Sequence, residues 1–88
     1  DSKYDQSKQL SVYPNPVIDM TKLIVPASFD GAYSISLMDL GGRLIDSFGG
    51  QLSTTHEHSL NLSRINPGVY FFLIQSASDV QMIKFCKQ

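Results

Sequence analysis

The sequence predicts an all-β domain, built as an antiparallel sandwich of about seven short strands. Three observations lead to this prediction. Apolar and polar residues alternate with a period of two in several short segments. Turn-forming residues separate these segments roughly every 8 to 12 residues, which is typical of immunoglobulin-like sandwiches. No helical stripe of apolar residues persists over about ten residues.

Seven segments are predicted to be strands. In chain order they are QLSVYP, TKLIV, YSISLMD, RLIDSFG, HEHSLNL, VYFFLIQ and VQMIKFCK. The alternation is clearest in YSISLMD, where Tyr33, Ile35 and Leu37 share one face. VYFFLIQ is apolar on both faces, with Tyr70, Phe72 and Ile74 expected to face the core. That pattern predicts a central strand covered on both sides.

The segment LGGRLI is predicted to be a hairpin turn between the third and fourth strands. Its two glycines supply the positive φ that tight hairpins need. The turn is expected to bring Leu37 and Leu44 to a common core. We expect the fourth strand to end at Gly49–Gly50, where the next glycine pair follows.

Composition limits the chain to one domain. It has 88 residues, a hydrophobic share of 42% and a net charge of −1. The absence of a basic excess argues against nucleic acid as a partner. No apolar run approaches the roughly 18 residues of a membrane span. Residues 1–9 are polar and are predicted to be a linker from an upstream cargo domain, with the folded domain at 10–88.

The residues that carry chemistry are few and do not predict an enzyme or a cofactor. His56 and His58 are two apart, so on a strand they share a face and offer two nitrogens to a metal ion. A third ligand is needed, and Glu57 faces the other way. Cys86 is a nucleophile by type, but its apolar strand favours a packed structural thiol. No Gly-x-Ser-x-Gly elbow is present.

Four segments in a fixed order carry a resemblance to a known family. They are SVYPNPVIDMTKLIV, YSISLMDLGGRLI, LNLSRINPGVYFFLI and VQMIKFCKQ. Together they resemble the C-terminal sorting domain of type IX (Por) secretion system cargo proteins of Bacteroidetes. The family's motif positions fall on Tyr13, Pro14, Asn15, Pro16, Asp39, Gly42, Arg43, Gly68, Tyr70, Lys84, Phe85 and Lys87.

The resemblance implies a signal domain that is recognised and not a catalyst. It implies that an attached cargo reaches the periplasm, crosses the outer membrane through the type IX translocon, and ends at the cell surface or outside the cell. It further implies removal of the domain by a sortase-like cysteine peptidase during anchoring. The expected partners are the translocon, that peptidase and the upstream cargo.

Two alternatives remain open from the residues. One is an immunoglobulin-like binding module for carbohydrate or protein, for which Tyr4 and Phe29 are candidate exposed aromatics. The other concerns the last strand, whose apolar and basic residues persist to the terminus. We expect either that its edge and terminus form the signal, by accepting a partner strand, or that it only completes the sheet.

Overall fold

The computed structural model describes residues 9–29, 31–52 and 56–88, with no side-chain description for 49–52. These residues form seven strands and no helix, which confirms the all-β prediction. The strands are β1 Ser11–Tyr13, β2 Met20–Ile24, β3 Ala32–Asp39, β4 Leu44–Leu52, β5 Glu57–Asn61, β6 Gly68–Gln75 and β7 Val80–Lys87. A membrane-spanning helix is therefore not found among the described residues.

The strands form two antiparallel sheets. The first has three strands in the order β1-β2-β5, and the second has four in the order β4-β3-β6-β7. The chain passes from one sheet to the other after β2, β4 and β5, as expected for a sandwich. The predicted arrangement of seven short strands in an immunoglobulin-like sandwich agrees with these two sheets.

The core lies between the sheets and takes alternate residues from most strands. In β3, Tyr33, Ile35 and Leu37 are buried as the alternation predicts. Phe72 and Ile74 of β6 are fully buried beside them. The other buried apolar side chains are Val12, Val17, Leu23, Val25, Phe29, Leu60, Leu62 and Phe85.

The β3–β4 hairpin forms at the predicted glycines, but one of its expected core contacts is wrong. Leu44 is 58% exposed and does not join Leu37 in the core. Leu37 pairs with Asp46 and Met38 with Leu44, so Ile45 is an extra residue in β4. This bulge places Leu44 on the outer face with Met38, and Ile45 packs against the core instead.

The fourth strand also runs beyond its predicted end. β4 continues through Gly49 to Leu52, which pairs with Ala32. The register shifts between Ala32 and Ser34, so the glycine pair lies at an irregularity within the strand and not at its end.

β6 is central in its sheet, as predicted, but it is covered on one face only. It pairs with β3 on one side and β7 on the other. Val69 is 36% exposed, and Phe71 and Leu73 are half-buried. No described segment packs over this outer face, so its apolar residues contact mainly their neighbours within the sheet.

Candidate functional site

The Asp39–Arg43 turn is held by hydrogen bonds to Asp39. The Asp39 Oδ1 atom accepts the backbone N–H groups of Gly41 at 3.0 Å and Arg43 at 2.9 Å. The N–H of Gly42 donates to the Asp39 carbonyl at 3.0 Å. Gly42 has a φ of 86°, in the left-handed region that favours glycine. Asp39 and Gly42 therefore have clear structural roles in the turn.

Tyr70, near the start of β6, contacts both the loop before β6 and the core. Its hydroxyl donates to the Asn66 carbonyl at 2.7 Å. A tyrosine bonded to backbone a few residues upstream also occurs in immunoglobulin-like sandwiches. The ring stacks on Phe85 with centroids 5.9 Å apart, and Phe85 stacks on Phe72 at 4.7 Å. Tyr70 and Phe85 therefore link β6, β7 and the preceding loop.

The loop after β1 is fastened to the end of β7. Asn15 Oδ1 accepts the N–H of Cys86 at 3.1 Å. Val17 donates its N–H to the Cys86 carbonyl at 2.8 Å and accepts the Gln88 N–H at 2.7 Å. Val17 and Lys87 form a parallel bridge. The bonds run between chain segments about 70 residues apart, so the loop completes the edge of the four-stranded sheet.

The motif positions of the four segments lie toward one end of the sandwich, which we call the motif end. Antiparallel pairing brings the end of β3 beside the start of β6 and the end of β7, with Asp39 opposite Tyr70 and Tyr70 opposite Phe85. Its members are the twelve motif positions predicted from the sequence: Tyr13, Pro14, Asn15, Pro16, Asp39, Gly42, Arg43, Gly68, Tyr70, Lys84, Phe85 and Lys87.

The motif residues divide by exposure. Tyr13 is 72% exposed, and Arg43 and Lys84 also point to solvent. Phe85 is buried, and so is Lys87, whose Nζ donates to the main-chain oxygen of Gln88 at 3.0 Å. Tyr13, Arg43 and Lys84 are therefore accessible from solvent, whereas Phe85 and Lys87 support the structure around them.

A shallow groove of about 370 Å³ lies beside Tyr13 on the outer face of the three-stranded sheet. Met20 forms part of its wall, and Lys22 Nζ lies 3.5 Å from Glu57 Oε2 along it. Tyr13 therefore supplies the exposed aromatic surface that a binding module needs. The sequence-based choice of Phe29 for this role is wrong because Phe29 is fully buried. Tyr4 lies outside the described residues.

The two histidines lie at the opposite end of the sandwich. As predicted they share a face: Tyr33 is stacked on His56, and its hydroxyl is 2.6 Å from His58 Nε2. Glu57 points away, toward Lys22. Burial and the nearby His56 lower the pKa of His58. No group of three His, Cys, Asp or Glu side chains able to hold a metal occurs in the described part of the chain.

Cys86 is half-buried on the outer face of β7, opposite Val69. Its backbone N–H and carbonyl hold Asn15 and Val17, as described above. No described histidine lies in its strand or in neighbouring β6. The geometry thus fits a packed thiol better than a nucleophile.

Two positions important for the motif end were not predicted. Val17 is fully buried and bridges to β7, yet it stands alone between Pro16 and an exposed Ile18, so no period marks it. Thr21 is also buried, and its hydroxyl donates to the Pro14 carbonyl at 3.2 Å. The bond of Asn15 was not predicted either, because its partner lies 71 residues away in the sequence.

Comparison with known proteins gives a family and a similar fold. Residues 11–88 match the family model described as "Secretion system C-terminal sorting domain". The structure is similar to that of PorZ, described as an essential bacterial surface component of the type IX secretion system of Porphyromonas gingivalis. The TM-score is 0.71 and the identity 23%, covering 90% of this chain and 11% of that chain.

No curated protein matches the chain. The likeness to PorZ, at this identity, concerns the fold. The family match covers nearly the whole chain and includes all four motif segments. The chain belongs to the family of secretion system C-terminal sorting domains.

Proposed function

We propose that residues 10–88 direct an attached cargo protein through the type IX outer-membrane translocon. The cargo enters from the periplasm and is exported to the cell surface or beyond. Residues 1–9 then act as the linker to that cargo. Family membership supports a C-terminal sorting signal of type IX secretion. The observation that carries the proposal is that motif positions from four segments, distant in sequence, lie toward one end of the sandwich.

The motif end combines a rigid frame with exposed side chains. Asn15, Asp39 and Tyr70 fix loops through hydrogen bonds to backbone. Tyr13 and Lys84 extend from that frame into solvent. A frame of this kind lowers the entropic cost of binding because the exposed groups are already positioned. Recognition by a translocon component is a function that such a surface supports.

The second part of the proposal concerns the fate of the domain. A sortase-like cysteine peptidase removes it during cell-surface anchoring, by cleavage at or before residues 1–9. The domain is then a substrate and has no catalytic role. The family's sorting role supports this assignment. In the described part of the chain, the histidine pair has no third metal-binding side chain beside it.

The direct test is a fusion of residues 1–88 to the C-terminus of a fluorescent periplasmic protein, expressed in a type IX-competent bacterium. We expect fluorescence at the cell surface or in the medium, and retention in the periplasm when the translocon is deleted. Retention in the competent strain would contradict the proposal. The mass of the exported product tests cleavage, which predicts the loss of residues 10–88.

Exposed motif residues permit a sharper test than truncation. Deleting residues 84–88 removes the buried Phe85 and the partners of Val17, so it disturbs the fold as well as the signal. The variant Lys84→Gln leaves the core intact and is expected to reduce export. Lys84→Arg keeps a positive charge at the same exposed position and serves as the matched control, with export expected to be retained.

A binding module is the second candidate, and the exposure of Tyr13 beside its groove is the observation that favours it. The expected ligands are a carbohydrate or an extended peptide. Titration of the free domain with oligosaccharides, followed by the NMR signals of the Tyr13 ring, tests this function. Saturable chemical-shift changes that are lost in Tyr13→Ala would support a binding module. Unchanged NMR signals would exclude carbohydrate as its ligand.

A further inference from the structure

The outer edge of β7 is only partly occupied. Val17 and Asn15 bond to the backbone of Cys86, and Val17 also bonds to the N–H of Gln88. Cys86 and Gln88 therefore direct these backbone groups away from β6. Backbone groups alternate in direction along a strand. Lys84, Met82 and Val80 therefore also direct their N–H and C=O groups away from β6.

No partner from the described residues occupies this part of the edge. The Val80 N–H is bonded to the Asp79 side chain at 2.9 Å. The N–H groups of Met82 and Lys84 have no hydrogen-bond acceptor within the described ranges. Val80 and Met82 are 54% and 57% exposed. We call the backbone groups of Val80, Met82 and Lys84 the free edge.

The edge strands of the two sheets are β1, β5, β4 and β7. The first three have features that discourage pairing with another strand, and β7 has fewer such features. β1 has three residues and β5 has five, so both are short. β4 is long but has two register shifts against β3. β7 pairs with β6 over eight residues without a shift. Its only charged side chain at the free edge is Lys84.

We propose that the free edge accepts an extended strand from a protein of the export machinery, which adds to the four-stranded sheet beside β7. This rests on the proposed sorting function and names its contact surface. Backbone N–H and C=O groups of the partner pair with Met82 and Lys84. The partner carries apolar side chains over Val80 and Met82 and a carboxylate near Lys84.

The bridge from Val17 supports this kind of occupant. A segment of the chain already lies against the same edge and makes strand-like hydrogen bonds at Cys86 and Gln88. The free edge continues that line toward the start of β7. A polypeptide strand satisfies both the unpaired backbone groups and the alternating apolar side chains, whereas a small molecule satisfies only part of them.

The test uses the fluorescent cargo fused to residues 1–88. Met82→Pro removes the outward N–H but keeps the bonds to β6, and proline is tolerated at such edge positions. Met82→Thr keeps the N–H and is the control. We expect Met82→Pro to lower export about tenfold and Met82→Thr to leave it unchanged. Normal export of folded Met82→Pro would overturn the inference.

A second variant covers the case in which Met82→Pro does not fold. The double variant Val80→Lys, Met82→Lys keeps every backbone group and places like charges beside Lys84. The matched control, Ala32→Lys with Ser47→Lys, adds the same two charges at exposed positions of β3 and β4, away from this edge. We expect only the first pair to reduce export. Equal export from both would overturn the inference.

Two further measurements test whether the free edge is occupied by this chain itself or by a second copy. The unmodified fusion tests the sorting function separately. Fast amide exchange at Met82 and Lys84 is expected in the isolated monomer, and strong protection would assign the edge to this chain itself. A dimer that Met82→Pro dissociates would assign it to a second copy; either result overturns the proposal. If the unmodified fusion is not exported, the sorting function fails, independently of the edge.

Discussion

The two ends of the sandwich are held by different interactions. At the motif end, backbone groups and the neutral side chain of Asn15 bond the loop after β1 to β7. At the opposite end, which we call the histidine end, Tyr33 of one sheet contacts His56 and His58 of the other. The bonds that join the loop to β7 therefore involve no titratable side chain, whereas the contacts between the sheets at the histidine end do.

The largest expected effect comes from the aromatic stack of the motif end. Phe85→Ala removes a buried ring that packs on Phe72 and Tyr70, so we expect the free energy of unfolding to fall by about 3 to 5 kcal/mol. Phe71→Ala, on the half-buried outer face, is the control and is expected to cost clearly less. Urea denaturation measures both. Equal losses would show that the stack does not dominate this end.

The next effect concerns the bond between the loop and β7. Asn15→Ala leaves the Cys86 N–H without its side-chain acceptor, and we expect a loss of about 1 kcal/mol. Asn15→Asp keeps an acceptor oxygen and is expected to retain most of the stability. Amide exchange at Cys86 should quicken in the alanine variant only. Unchanged exchange would mean that Val17 alone protects this edge.

The histidine end predicts a pH dependence of stability. The pKa of His58 is lowered from its ordinary value of 6.5, first by burial and then by His56. The unfolded chain therefore binds the proton more readily. The contribution of neutral His58 to the free energy of unfolding is therefore fully present above about pH 6.5. It declines as the pH falls from 6.5 toward the lowered pKa of His58 in the folded protein.

The groups that face His58 are Tyr33 from β3, His56 from just before β5 and Leu23 from β2. None is acidic, so none offsets the added charge. His58→Gln should flatten the stability profile below pH 6.5, whereas Asn15→Ala should lower the whole profile without changing its slope. Thermal unfolding between pH 5 and 8 tests both. An unchanged slope in His58→Gln would assign the dependence to another group.

The smallest expected effect is at the exposed ion pair of the motif end. Arg43 Nε lies 3.3 Å from Asp39 Oδ2, with its side chain 78% exposed. Exposed pairs contribute little, so Arg43→Gln should change the free energy of unfolding by less than about 0.5 kcal/mol. Asp39→Ala, which also loses the bonds to the turn, should cost more. A large effect of Arg43→Gln on export alone would assign it to recognition.

The local pattern of apolar residues and glycines was sufficient to predict most strands and turns of the fold. The alternation of Tyr33, Ile35 and Leu37 identified β3 and its buried face, and the glycine pair located the hairpin. A local pattern does not reveal an extra residue within a strand. The bulge at Ile45 therefore turned Leu44 outward against expectation. The glycines at 49 and 50 likewise fit both a strand end and an irregularity within it.

The sequence identified the motif residues, but it did not predict how they are arranged in space or which of them are exposed. The order of the motifs identified the family, which the match over residues 11–88 confirms. Their meeting at one end depends on strand pairing, and the bond from Asn15 to Cys86 spans 71 residues. Exposure depends on the same pairing, which explains why Tyr13 is open and Phe29 is buried. Which of the twelve motif residues a partner contacts stays a prediction.

The bridge between Val17 and β7 has a consequence for synthesis. Val17 leaves the ribosome long before Cys86 and Gln88, and its N–H and carbonyl have no strand partner until those residues follow. A chain that stops before Cys86 also leaves Asn15 without its bond. The edge that begins at Val17 is therefore completed only when Cys86 and Gln88 have been translated, near the end of synthesis of the domain.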